Sequence, residues 1–172
     1  MKTSGEMRPQ DVVVLLKIVA LGKEPWLAKD LAASLRLSPA EVSNSLSRSV
    51  LAGLLDGTKR KVVRASLLDF LRNGLPYVYP VRPGGLVRGV PTAHSAPALR
   101  ERFLSDDAYV WPSAKGNAQG QAIAPLYPGV PEAAMEDARL YAMLALSDAL
   151  RVGRARERAE AAKELAKLFK ER

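Results

Sequence analysis

Proline and glycine are spread unevenly along this 172-residue chain, and that distribution limits its fold more than any other feature. Residues 74–131 hold 9 of the 12 prolines and 7 of the 12 glycines. Residues 8–73 carry few such breakers, and residues 132–172 contain no proline and one glycine, Gly153. Proline lacks a donor N–H and clashes inside a helix, and glycine gives up most entropy when ordered there. Helices are therefore expected at both ends, with turns and loops between. Aromatic residues make up only 6% against 48% hydrophobic overall. The core must then be mostly Leu, Val and Ala, which suits helices.

The N-terminal stretch resolves into three helices. In Pro9–Leu21, Val12, Val13, Leu15, Leu16, Val19 and Ala20 recur at helical spacing. Pro9 suits a first turn and Gly22 an end. Leu27–Leu35 places Leu27, Leu31, Ala32 and Leu35 on one face. A third helix, Ser38–Ala52, opens with Ser38 as N-cap, Pro39 in the first turn and Glu41 completing a capping box. Its inward face is Val42, Leu46, Ser49 and Val50. A short helix, a tight turn and a capped helix with a polar outer face form a helix-turn-helix pattern. In that arrangement the second helix of the pair lies in the major groove and needs small or hydrogen-bonding side chains toward base edges. Ser38, Ser43, Asn44, Ser47 and Arg48 are the candidate base contacts. Asn44 has the geometry for a bidentate bond to adenine, and Arg48 the reach for guanine or a phosphate.

Charge supports the same half of the chain. Residues 1–90 carry 14 Lys+Arg and 7 Asp+Glu, a net of +7, while residues 91–172 carry 12 and 11, a net of +1. A localised basic excess is the electrostatic footprint of a phosphate-binding module, although a solubilising surface has the same composition.

The stretch Leu31-Ala-Ala-Ser-Leu-Arg-Leu-Ser-Pro-Ala-Glu-Val-Ser-Asn-Ser-Leu, followed by Gly53-Leu54-Leu55, resembles the MarR-like winged-helix regulators of prokaryotes. The resemblance covers about a quarter of the chain and departs from the pattern at Ser49, where an apolar residue is usual. It implies a transcriptional regulator that binds duplex DNA, as a homodimer, with a β-hairpin wing after the recognition helix.

Two stretches can supply that wing. Asp56-Gly57 is a hairpin turn signal, followed by Lys59, Arg60, Lys61 and Arg64. The apolar spacing of Val62, Val63, Leu67, Leu68, Phe70 and Leu71 argues instead for a helix over Lys61–Arg72, ended by Gly74. The second candidate is Tyr77–Val81 and Leu86–Val90 around Pro83-Gly84-Gly85, with Arg82 and Arg88 near its tip. The phosphate contacts expected from the two together are Lys59, Arg60, Lys61, Arg64, Arg82 and Arg88. The fold class expected is mainly α with a small β-hairpin wing: a winged helix-turn-helix over 1–92, a Pro/Gly-rich connection over 93–131, and C-terminal helices over 132–172.

Other chemistry has little support. With no cysteine there is no disulfide, thiolate ligand or cysteine nucleophile, a composition compatible with a reducing cytoplasm. His94 is the one histidine. A catalytic reading would need Thr92 or Ser95 as nucleophile and Asp106 or Asp107 as orienting acid, but sequence neighbours rarely form such a triad. Gly116–Gly120 lacks the flanking pattern of a phosphate-cradling loop. No catalytic residue, metal site or cofactor is assigned. Tyr109, Trp111 and Tyr127 either line a pocket or pin the proline-rich segment to the core.

From Pro131 a helix is expected, with Met135, Ala138, Tyr141, Ala142, Ala145, Leu146, Ala149 and Leu150 on one face, interrupted or dented at Gly153. Its small residues suit dimerisation or packing on the first helix. Arg151, Arg154, Arg156 and Arg158 cluster beyond it, interleaved with Glu157 and Glu160. An alternative function follows: an antitoxin-like or adaptor module that engages a protein partner through 132–172. The polar start, Met1–Gln10, and the lack of an 18-residue apolar run give neither a signal peptide nor a membrane span, so the expected location is cytoplasmic.

Overall fold

The computed structural model describes residues 5–170. Among these residues, eight α-helices, a single 3-10 turn (Ala93–Ser95) and three short strands make a mainly helical fold with a small sheet. The first three helices are α1 (Pro9–Leu21), α2 (Ala28–Leu35) and α3 (Pro39–Leu51). Gly22 ends α1 at a φ of 62°, with its N–H donating to Val19 O at 3.1 Å. Ser38 Oγ accepts from Glu41 N at 3.0 Å, half of the expected capping box. The other half is absent because the Glu41 carboxylate bonds Arg48 instead, at 2.6 Å.

Beyond α3, one antiparallel bridge joins Leu55 to Val62. α4 (Arg64–Asn73) and α5 (Leu75–Val78) follow. Pro76 sits in the first turn of α5 and so does not obstruct it. The later hairpin expected at 77–90 does not form. Tyr77 and Val78 belong to α5, and β1 (Leu86–Pro91) takes its partners from further along the chain. It pairs antiparallel with β2 (Tyr109–Pro112) and with β3 (Ala118–Ala122), while β2 and β3 pair in parallel, so the three strands close on one another. The segment read as a connection thus holds most of the sheet. Its strands are too short and too glycine-rich for an alternating pattern to show. Such tight closure needs residues without Cβ. A side chain at Gly89 would strike the Trp111 backbone, and one at Gly116 would strike Gly89.

The helix expected from Pro131 is two helices, α6 (Val130–Glu136) and α7 (Ala138–Val152). Asp137 is the break: its backbone is extended, and its Oδ1 caps α7 by accepting from Leu140 N at 3.0 Å. Gly153 ends α7, and α8 (Ala155–Lys170) is the last helix among the described residues. α7 packs on α1, α5, α6 and α8. Its Met143, Leu144, Ala145, Leu146, Ala149 and Leu150 are buried, as are Ala161, Leu165 and Phe169 of α8. One cluster of buried apolar residues runs from Val12 to Phe169 and draws on all three stretches of the sequence. No described helix is long and apolar enough to cross a membrane.

A buried polar hub sits inside this core. Asp148 Oδ2 accepts from Thr92 Oγ1 at 2.8 Å and Trp111 Nε1 at 2.6 Å, and its Oδ1 accepts from Arg151 at 2.9 Å. Arg151 also donates to Tyr79 O at 2.9 Å. Burial pushes the Asp148 carboxyl above the usual carboxylate range, against the pull of those three donors. Trp111 is therefore a core residue that ties β2 to α7, and Thr92 is engaged rather than available as a nucleophile.

Candidate nucleic-acid interface

The outward face of α3 is set by what its inward face touches. Val42, Ser45, Leu46, Arg48 and Ser49 are buried toward α1 and α2. Helical spacing then leaves Ala40, Ser43, Asn44, Ser47 and Leu51 in solvent. Ser38 at the N-cap is exposed as well. Four of the five expected base contacts (Ser38, Ser43, Asn44 and Ser47) thus share one open surface with no bulky side chain before Leu51.

Arg48 is the exception, and its expected role is corrected. It lies on the inward face, with its side chain 7% exposed. Its Nε and Nη2 donate to Asp11 Oδ2 and Oδ1, each at 2.8 Å, in a two-pronged bond. Asp11 is fully buried and also accepts from Arg8 N at 2.9 Å, so one carboxylate caps α1 and fastens α3 to it. The bond to Asp11 holds the Arg48 guanidinium firmly charged. Sequence spacing cannot reveal this pair, because its members are 37 residues apart and arginine usually faces solvent. Ser49, the departure from the winged-helix pattern, is a small residue that is completely buried on the same inward face of α3.

The turn between α2 and α3 is held from outside. Arg36 occupies the left-handed region at a φ of 56°. Its side chain donates to Glu132 at 2.7 Å and Glu136 at 2.8 Å on α6, and Tyr127 Oη donates to Arg36 O at 3.1 Å.

The segment after α3 forms a narrow hairpin built around Asp56. Asp56 N donates to Lys61 O, and Val63 N to Leu54 O, both at 2.9 Å. The Asp56 carboxylate accepts from Arg60 N at 3.0 Å, Lys61 N at 2.9 Å and Thr58 Oγ1 at 2.7 Å. Those bonds, led by the one from Lys61, hold its pKa below the usual range. Three basic residues leave this loop. Lys59 Nζ donates to Ser47 Oγ at 2.9 Å, which sets its charge beside the exposed α3 face. Arg60 stacks 4.7 Å above the Trp26 ring and donates to Trp26 O at 2.9 Å, bracing the hairpin against the α1–α2 connection. Lys61 is exposed. Trp26 was not a candidate from sequence, since nothing in its spacing links it to Arg60.

The other basic candidates lie elsewhere. Arg64 is half-buried and donates to Phe169 O at the end of α8, so it joins α4 to α8 instead of extending from the hairpin. Arg82 and Arg88 are exposed but belong to the β1 region, which packs with β2 and β3. They are not part of the hairpin that follows α3. Comparison of the whole chain with models of known families, with curated proteins and with solved structures gives no match.

Proposed function

We propose that this protein is a sequence-specific double-stranded DNA-binding transcriptional regulator acting in the cytoplasm, with α2 and α3 as its helix-turn-helix and the 55–62 hairpin as a short wing. One observation carries the reading. The exposed face of α3 is lined by Ser38, Ser43, Asn44 and Ser47, and Lys59 of the hairpin lies against that same face. Small polar groups allow a helix to approach base edges, and Asn44 can bond the N6 and N7 of adenine together. Lys59, Arg60 and Lys61 then serve the phosphates on either side, which gives affinity without sequence information. The likeness to MarR-like regulators noted in the sequence supports the same assignment. The alternative of a partner-binding module gains less support, because the apolar faces of α7 and α8 are buried within the chain's own core.

Selection of bound sequences from random duplex DNA tests the proposal. An enriched site is expected, and its symmetry reports whether one copy or a homodimer binds. On that site, Asn44→Ala relaxes the preference at one base pair, costing about 1–3 kcal/mol there. Lys61→Ala weakens all sequences alike and lowers the salt slope by about one. Failure to enrich any site, or indifference of binding to both substitutions, overturns the assignment.

A further inference from the structure

A concavity that shares no lining residue with α3 carries a buried polar atom that the chain itself leaves unsatisfied. It lies between the first turn of α8 and residues 94–109, with a volume of about 350 Å³. That is the size of a small-molecule site. Its inner end is His94, 5% exposed, and Glu157, whose side chain is 13% exposed. His94 Nε2 lies 2.7 Å from Asp107 O. A carbonyl only accepts, so the proton of the neutral ring is fixed on Nε2 and Nδ1 is left as an acceptor. Nδ1 is buried with no hydrogen-bond partner and stands 3.7 Å from Glu157 Oε1. Nδ1 and Glu157 Oε1 therefore face each other with no donor between them, while Glu157 Oε2 accepts from Arg154 N at 3.3 Å. The unpartnered Nδ1 costs stability unless something supplies an N–H.

The rim has the opposite character. Arg154 and Arg156 line it and are exposed, and among the described residues neither guanidinium forms an ion pair or hydrogen bond. They flank the first turn of α8, whose N–H groups have no intrahelical acceptor and favour an anion. Phe103 and Tyr109 also line the concavity, the latter edge-on to His94 at 4.7 Å, and the fully exposed Leu104 stands at its mouth. No three metal-ligating side chains converge among the described residues, which argues against a metal ion as the missing donor.

We propose that this cavity binds a small zwitterionic amine, an amino acid with an apolar or aromatic side chain. Its ammonium group donates to both His94 Nδ1 and the Glu157 carboxylate. Its carboxylate meets Arg154, Arg156 and the start of α8. Its side chain lies on Phe103, Leu104 and Tyr109. The inference is independent of DNA binding, and a neutral His94 is a condition of it.

His94 is the one histidine, so the ¹⁵N resonances of its imidazole in the full chain report on this site alone. The probes are L-phenylalanine, L-leucine, phenethylamine and 3-phenylpropionate. At pH 7 the free protein is expected to show the tautomer with its proton on Nε2, as the Asp107 carbonyl dictates. One of the two amino acids should shift that resonance saturably at millimolar concentration or below. The matching amine should bind about tenfold more weakly, and the acid not at all. Glu157→Gln should weaken the amino acid by about tenfold or more, and the pair Arg154→Ala with Arg156→Ala should reduce it to the affinity of the amine. Two results overturn the proposal. One is an Nδ1 already protonated at pH 7, which would mean that the Glu157 ion pair fills the site. The other is a resonance that neither amino acid moves.

Discussion

Replacing Asp11 by alanine separates the two roles open to Arg48. Asp11 is fully buried and makes two 2.8 Å bonds to the Arg48 guanidinium. In Asp11→Ala, Arg48 keeps only Glu41, whose side chain is 21% exposed and able to relax toward water. Removing one partner of a buried ion pair typically costs about 3–5 kcal/mol, because the remaining charge stays desolvated. Losing the cap on Arg8 N adds about 1 kcal/mol. At about 2–4 °C per kcal/mol for a chain of this length, Tm should fall by roughly 8 °C at the least, and by 20 °C or more at the upper end. Circular dichroism at 222 nm during heating measures it. The double replacement Asp11→Leu with Arg48→Met should recover most of the loss, since well-packed apolar residues often match a buried pair within about 1 kcal/mol. The reasoning is refuted if Asp11→Ala lowers Tm by less than about 3 °C. It is refuted equally if Arg48→Met leaves Tm unchanged while weakening DNA binding, for then the guanidinium faces the duplex.

The Asp56 hairpin should respond to acid. Its carboxyl titrates below the ordinary value, so its ordering effect is complete above the usual carboxylate range near pH 4 and lost as pH falls through the lower folded value. Amide exchange at Arg60 and Lys61 should therefore lose protection at low pH, after correction for the intrinsic exchange rate, and Asp56→Ala should abolish that dependence. Gly89→Ala should destabilise by about 1–3 kcal/mol or more in urea unfolding, because the added Cβ meets the Trp111 backbone. Trp111→Phe removes the Nε1–H donor to Asp148 and leaves part of the buried indole's space empty, and should cost about 1.5–3 kcal/mol or more in the same assay.

What the sequence made legible follows the range over which each signal acts. α1, α2 and α3 were readable because periodicity, Pro9, Ser38-Pro39 and Gly22 are local signals. The exposed polar face of α3 was readable for the same reason, since 43, 44 and 47 follow directly from helix phase. Arg48 was misplaced because a partner 37 residues away turns it inward, and no local rule overrides the preference of arginine for solvent. The break at Asp137 was missed because a capping aspartate inside a continuous apolar pattern looks like an ordinary early-turn acid. The sheet was hidden by its closure: β1 residues pair with partners 19 to 35 positions further on, through glycines that suggest loops. Of the two candidates for the wing, the Asp56-Gly57 turn signal marked the hairpin that forms and apolar spacing marked α4 after it, whereas the Pro83–Gly85 turn belongs to no hairpin because β1 finds its partners further along the chain.

The contact between α1 and α7 also has a consequence for the order in which the chain is made. α3 is complete on paper at residue 51, yet α1, against which it is fastened, buries its other side on a helix that ends at residue 152. Synthesis at about 5–20 residues per second leaves roughly 5–20 s between the two. During that interval the apolar side of α1 has no partner of its own chain. A chain truncated before α7 should therefore leave that side of α1 open to solvent, which binding of a dye for exposed apolar surface would report.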